Sequence, residues 1–179
     1  MQPGAAVPAG LYGRAEFASG ALARGEFDQI ALSSSESIRL DADVTLDATR
    51  AVTLDAPVLE MQGAGEARVS AAYVALGTTQ SRTNPPLAPT PGDGVLRVEA
   101  QLVDIVGHSS LQGIKQTDIH SSGDVRLRGV VRGGLEYSGS LSAVGELNIG
   151  ADQIYPTTLS EFAINVQKDA NATGASGVI

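Results

Sequence analysis

Apolar residues begin to alternate with other residues at Ile30 and Leu32, and the clearest stretch is 38–56, where one five-residue phrase is written three times. The copies are Ile38-Arg39-Leu40-Asp41-Ala42, Val44-Thr45-Leu46-Asp47-Ala48 and Val52-Thr53-Leu54-Asp55-Ala56. A period of two is the mark of a strand with one buried face, and the small residue that follows each phrase suits a tight corner. Ile38, Leu40, Val44, Leu46, Val52 and Leu54 are therefore expected inside, with Arg39, Thr45 and Thr53 facing solvent. The phrase recurs less cleanly near Val58, Ala67 and Val74, at offsets of 20, 23 and 22 from Ile38, Val44 and Val52. Three strands per repeat of about twenty residues is a solenoid period. A rival parse takes the strands in pairs at offsets of 14 and 15. The three-strand parse is preferred because the corners after 48 and 62 are long enough to turn through an angle.

The period breaks at 78–94, which holds four of the eight prolines. No strand is expected there, since proline cannot donate to a ladder. The phrase returns at Leu96 and Val103, and then more loosely at Thr117, Val125, Leu147 and Phe162. The expected organisation is a lead-in or cap over 1–27, an all-β domain over 28–166 with one Pro-rich inserted loop, and a flexible tail over 167–179. No stretch of ten residues carries helical periodicity. Insertions in solenoids lie on loops and often mark the binding face, so Arg82, Asn84, Pro85, Pro86 and Leu87 are the candidate binding residues. Tyr155 and Pro156 read as a rigid corner near the end of the domain.

Composition narrows the chemistry. The core must be built from small aliphatics, because only 4% of the 179 residues are aromatic and there is neither Trp nor Cys. Twelve basic residues against twenty acidic ones give a net charge of −8, which disfavours nucleic acid as a partner. No apolar run is long enough to insert into a membrane, and residues 1–10 lack the basic start and apolar run of a signal peptide, so the chain reads as a piece of a longer precursor.

No catalytic residue, cofactor or metal is assigned. Asp41, Asp47 and Asp55 raise the question of a carboxylate array for Ca²⁺, but aspartate near a strand end commonly makes turn hydrogen bonds, and the calcium repeat of other solenoids is absent. His108 and His120 would need carboxylate help to bind zinc. The serines beside them, Ser109, Ser110, Ser121 and Ser122, lie in no nucleophile elbow. The enzymatic alternative is a polysaccharide lyase or hydrolase using Asp104 with Asp118 or Asp124 as acid and base.

The run Gly123-Asp124-Val125-Arg126-Leu127-Arg128-Gly129, the strand at Leu147-Asn148-Ile149, and above all Gln153-Ile154-Tyr155-Pro156-Thr157-Thr158 followed by Phe162-Ala163-Ile164 resemble a segment of the filamentous-haemagglutinin-like large exoproteins of bacterial two-partner secretion. The resemblance extends over about 28–166 and includes Val106-Gly107-His108-Ser109-Ser110-Leu111-Gln112-Gly113. It implies a right-handed parallel β-helix in a secreted or surface-held adhesin fibre, exported through an outer-membrane partner pore. The implied ligand is a glycan or protein on a host-cell or bacterial surface. The amino-terminal secretion module of that family has no counterpart here, and Arg24-Gly25-Glu26 is not the integrin-type tripeptide. A further alternative is a segment that assists folding or retention of the exoprotein during secretion.

Overall fold

The computed structural model describes residues 27–41, 43–81, 87–131 and 136–169. Among them every regular element is a strand: β1 (Phe27–Ser33), β2 (Ile38–Asp41), β3 (Val44–Asp55), β4 (Val58–Gln62), β5 (Gly65–Gly77), β6 (Thr90–Val106), β7 (His108–Ser121), β8 (Asp124–Arg128), β9 (Val130–Val131), β10 (Tyr137–Val144), β11 (Glu146–Gly150), β12 (Gln153–Pro156) and β13 (Ser160–Gln167). Their ladders are parallel except for the short β9 to β10 pair. Phe27 therefore opens the first strand and does not close a lead-in.

The registers sort the strands into three rows. In the first row Ile30 pairs with Val52, Val52 with Val74, Val74 with Val103, Val103 with Val125 and Val125 with Ile154. In the third, Val44, Ala67, Leu96, Thr117 and Leu147 form a column, and Leu46, Val69, Val98, Ile119 and Ile149 form the next. The second row begins with Ile38 opposite Leu59. Its first offset is 21, one more than the phrase spacing gave, because Leu59 and not Val58 takes the inward position. None of the described pairs has the offset of 14 or 15 that the pairwise parse requires.

Alternation explains the interior. Ile30, Leu40, Leu46, Val52, Leu54, Leu59, Val69, Val74, Leu96, Val98, Val103, Ile105, Ile119 and Val125 are all buried in one cluster, and Arg39 and Thr45 between them are exposed. Like side chains stack on like at the strand spacing of about 4.8 Å, which suits β-branched residues. The triple Leu-Asp-Ala phrase supplies one strand to each of the three rows.

Three expectations need correction. Residues 90–94 belong to β6, not to the inserted loop. Pro91 is tolerated because the register breaks between Thr90 and Gly94, and at Gly92 and Gly94 a side chain would collide with Gly113 and Met61. Tyr155 and Pro156 lie in β12 opposite Arg126 and Leu127, not at a corner, and the N–H of Thr157 supplies the bond to the Leu127 carbonyl at 2.9 Å. Lastly, β10 was not anticipated, since its inward positions Gly139, Leu141 and Ala143 are mostly small.

The second row is interrupted. After the first-row strand of the third repeat ends at Gly77, no second-row strand follows among the described residues, and β4 of the second repeat pairs directly with β7 of the fourth, Val58 with Ser110 and Leu59 with Leu111. The segment that leaves there carries Pro85, Pro86 and Pro89, which could not serve a ladder on both edges. A void of about 10 Å³ lies at this level, lined by Leu59, Leu76, Leu96, Ile105, Leu111 and Ile119 among others.

Candidate functional site

The irregular chain emerges at one corner, between the first and second rows. Gly77, Val106 and Arg128 are stacked at the first-row ends, bonded onward by Thr78 N–H to the Val106 carbonyl at 2.9 Å and by Gly107 N–H to the Arg128 carbonyl at 2.8 Å. Gly77 and Gly107 have φ of +116° and +59°, and a Cβ on either would strike a carbonyl oxygen of the neighbouring repeat, Val106 or Thr78. Only glycine lets the chain turn there in so tight a stack.

From this corner the third repeat sends out the 78–89 segment and the fifth the β9 to β10 arm. The sixth turns through 157–159, where Leu159 is 77% exposed and has the left-handed φ of +65°. A bulky residue in that region stores strain. Val131 and Tyr137, whose strands pair in the β9 to β10 arm, are likewise exposed, so three of the large exposed side chains belong to the segments that leave this corner. Of the candidate binding residues, Leu87 is 67% exposed and lies beside Ala88, whose carbonyl accepts Gln112 Nε2 at 3.3 Å at the far end of the second row, and Arg82, Asn84, Pro85 and Pro86 lie outside the described residues. Asp55 roots the departing segment: Thr79 donates its N–H to Oδ1 at 3.0 Å and its hydroxyl to Oδ2 at 2.7 Å.

Beside the corner, on the outward side of the first row, sits a cluster that spacing did not reveal. Asp104 is 0% exposed, although it occupies an outward position. Its Oδ1 accepts Arg126 Nε at 2.6 Å, and its Oδ2 accepts Tyr73 Oη at 2.7 Å, Arg126 Nη2 at 3.0 Å and Arg128 Nη1 at 2.8 Å. Burial pushes the Asp104 pKa up, but the hydrogen bonds from Arg126, Tyr73 and Arg128 outweigh it and hold the carboxyl below its usual range. Burial and the bond to Asp104 raise the Tyr73 pKa. Tyr155 donates to Asp124 Oδ2 at 3.1 Å, and that bond raises its own pKa. One carboxylate thus ties three successive repeats through Tyr73, Arg126 and Arg128. The sequence signal was available: the first-row offsets place residue 104 directly beside 75 and 126.

The carboxylates considered for sugar cleavage are all taken up by partners, although Asp124 lies on the strand beside Asp104, two residues before Arg126. Asp118 is in the third row, bound to Arg97, Gln116 and Asn148, and Asp124 is engaged by Tyr155. The three Leu-Asp-Ala aspartates do not stack either: their neighbours on the next repeat are Gln62, Ser70 and Gly77. His108 and His120 fall at opposite ends of β7, in different rows. The His108 ring nitrogens meet Ser140 Oγ at 3.0 Å and Ser138 Oγ at 3.2 Å. Among the described residues no three acids or histidines gather to hold a metal ion, and no helix is long and apolar enough to cross a membrane.

No family model, curated protein or solved structure matches the chain.

Proposed function

We propose that the chain is a segment of a right-handed parallel β-helix, three strands per coil, in a filamentous-haemagglutinin-like exoprotein that is secreted through a partner pore and held at the bacterial surface. Its role is structural and adhesive, and it carries no catalytic centre. The observation behind this reading is the first-row column, Ile30 to Ile154, which keeps its register past both insertions. A crossover between parallel strands of one sheet is right-handed in nearly all proteins, hence the hand. The missing second-row strand shortens that side by about 4.8 Å, which across a core about 10 Å thick bends a coil by on the order of 25° toward the second row. Loops would then be presented along one edge of a kinked rod.

The ligand is a glycan or protein on a host-cell or bacterial surface. The engagement of Asp104, Asp118 and Asp124 by Arg126, Arg97 and Tyr155 favours adhesion over sugar cleavage. The test is binding of the labelled whole chain to epithelial and bacterial cells, with residues 80–88 replaced by a short Gly-Ser turn in a second sample. The replacement is expected to keep the far-ultraviolet spectrum, change stability by less than about 1 kcal/mol, and lower cell binding at least tenfold. Unchanged binding would remove the loop from the function, and release of unsaturated products from uronate polymers would replace the adhesive reading with the enzymatic one.

A further inference from the structure

The outward side of the third row is a charge ladder with a dip in it. One column runs Thr45, Arg68, Arg97, Asp118 and Asn148; the next, two residues along each strand, runs Asp47, Ser70, Glu99 and His120. Ser70 is the shortest side chain of the second column and stands between two longer acids. It leaves a groove of about 150 Å³ bounded by Thr45, Asp47, Arg68, Ser70, Arg97 and Glu99. That is roughly half the volume of the smallest drug-sized pockets, room for one small polar ring.

The groove's donors are fixed and its acceptors are open. Arg68 Nε lies against Glu66 Oε1, while Arg97 reaches Glu66 Oε2 at 3.1 Å and Asp118 Oδ2 at 2.5 Å, so both guanidinium groups are positioned by acids outside the groove. Asp47 and Glu99 accept no hydrogen bond from any described residue. An ionised carboxylate only accepts and a guanidinium only donates, whereas each hydroxyl of a sugar does both. With Glu66 and Asp118 counted, four acids surround two arginines, which disfavours an anionic ligand. Asp47 and Glu99 are on strands two apart, about 9.6 Å, too wide for one cation with ligand distances near 2.5 Å.

We propose that this groove holds one neutral sugar ring of a surface glycan, Asp47 and Glu99 accepting from its hydroxyls and Arg68 and Arg97 donating to its oxygens. The proposal rests on the adhesive reading above and adds a binding face distinct from the loop edge. Without an aromatic platform a single site binds weakly, and adhesion comes from many sites along a fibre.

Saturation-transfer NMR on the whole chain with methyl glucoside, galactoside and mannoside, and with methyl glucuronide as the anionic comparison, tests it. Transfer is expected from at least one neutral glycoside at millimolar affinity and less from the glucuronide. Asp47→Asn and Glu99→Gln, which keep the side-chain shape, should each weaken it about tenfold, and Ser70→Phe should abolish it. No transfer from any neutral glycoside, full transfer in both isosteric variants, or stronger binding of the glucuronide would overturn it, as would a rise in melting temperature with Ca²⁺ alone. Cell binding of the same wild-type sample separates the two failures: cells bound without glycoside transfer refute the groove only, and neither refutes both.

Discussion

The first and second rows are built from the same chain, one strand after the other, yet they differ in kind. The first row keeps six strands in register, with Ile30, Val52, Val74, Val103 and Val125 buried in one column. The second loses a strand, lets β4 reach past a repeat to β7, and holds Ser109 at an inward position, opposite Leu141, where the first holds valine and leucine. Both insertions leave at the end of a first-row strand, and neither disturbs the first row's register. Register in a parallel stack is set by which inward side chains meet, and a longer loop at a corner costs only the slowly growing entropy of closing it. Regularity belongs to the row that carries the fold, and variation is tolerated where it meets its neighbour.

The largest effect comes from breaking the first row. Val74 is fully buried midway along its column, and Val74→Asp would place an unpaired charge among aliphatics. The variant is expected to be unfolded at 25 °C, as read by far-ultraviolet circular dichroism, whereas Gln112→Asp on the outward side of the second row should stay within about 0.5 kcal/mol of wild type in urea unfolding. Comparable losses from the two would erase the distinction between the rows.

Next is the clamp across the first row. Asp104→Ala leaves two arginines and a tyrosine without their acceptor, and because Arg126 and Arg128 keep some contact with water the loss should fall near the low end for a broken buried pair, about 3 kcal/mol. The pH dependence has a defined sign. The folded Asp104 pKa lies below its ordinary value, so the carboxylate's contribution is complete above the unfolded pKa of about 3.9 and is lost as pH falls through the lower folded value. Urea midpoints between pH 7 and pH 2 should therefore drop more steeply below pH 4 for wild type than for the variant. Parallel curves would assign the clamp no role in stability.

How legible this was depends on side-chain size. The phrase at 38–56 announced one strand of each row, because large aliphatics stand at every second position, while the choice between three strands per repeat and pairs rested on the registers. β10 was hidden because Gly139 packs against the Phe162 ring and Ala143 stands opposite Val166, so its inward face is written mostly in small residues that also suit loops. The start of β6 was hidden by Pro91, whose penalty vanishes where the register breaks. Asp104 looked like a candidate acid in isolation; its partners Tyr73 and Arg126 are 31 and 22 residues away, and only the registers bring them beside it. Pairwise chemistry across repeats becomes readable once the offsets are known, and the two insertions stretch two of those offsets from 22 to 29.

The smallest effect tests whether the two rows are joined by more than the backbone. Asp55 ends a first-row strand, but both of its carboxylate oxygens serve Thr79, the second residue of the segment that replaces a second-row strand. The contact is exposed, so Asp55→Ala should cost only about 1 kcal/mol in global unfolding. Its effect on the loop should be larger than that figure suggests, since cleavage within 79–89 follows local opening and not global unfolding. Limited proteolysis with mass spectrometry is expected to show faster cutting there in Asp55→Ala, and no further acceleration when Thr79→Val is added, because both changes remove the same side-chain bond. Additive acceleration would mean that Asp55 and Thr79 act separately, and that the first row does not root the loop.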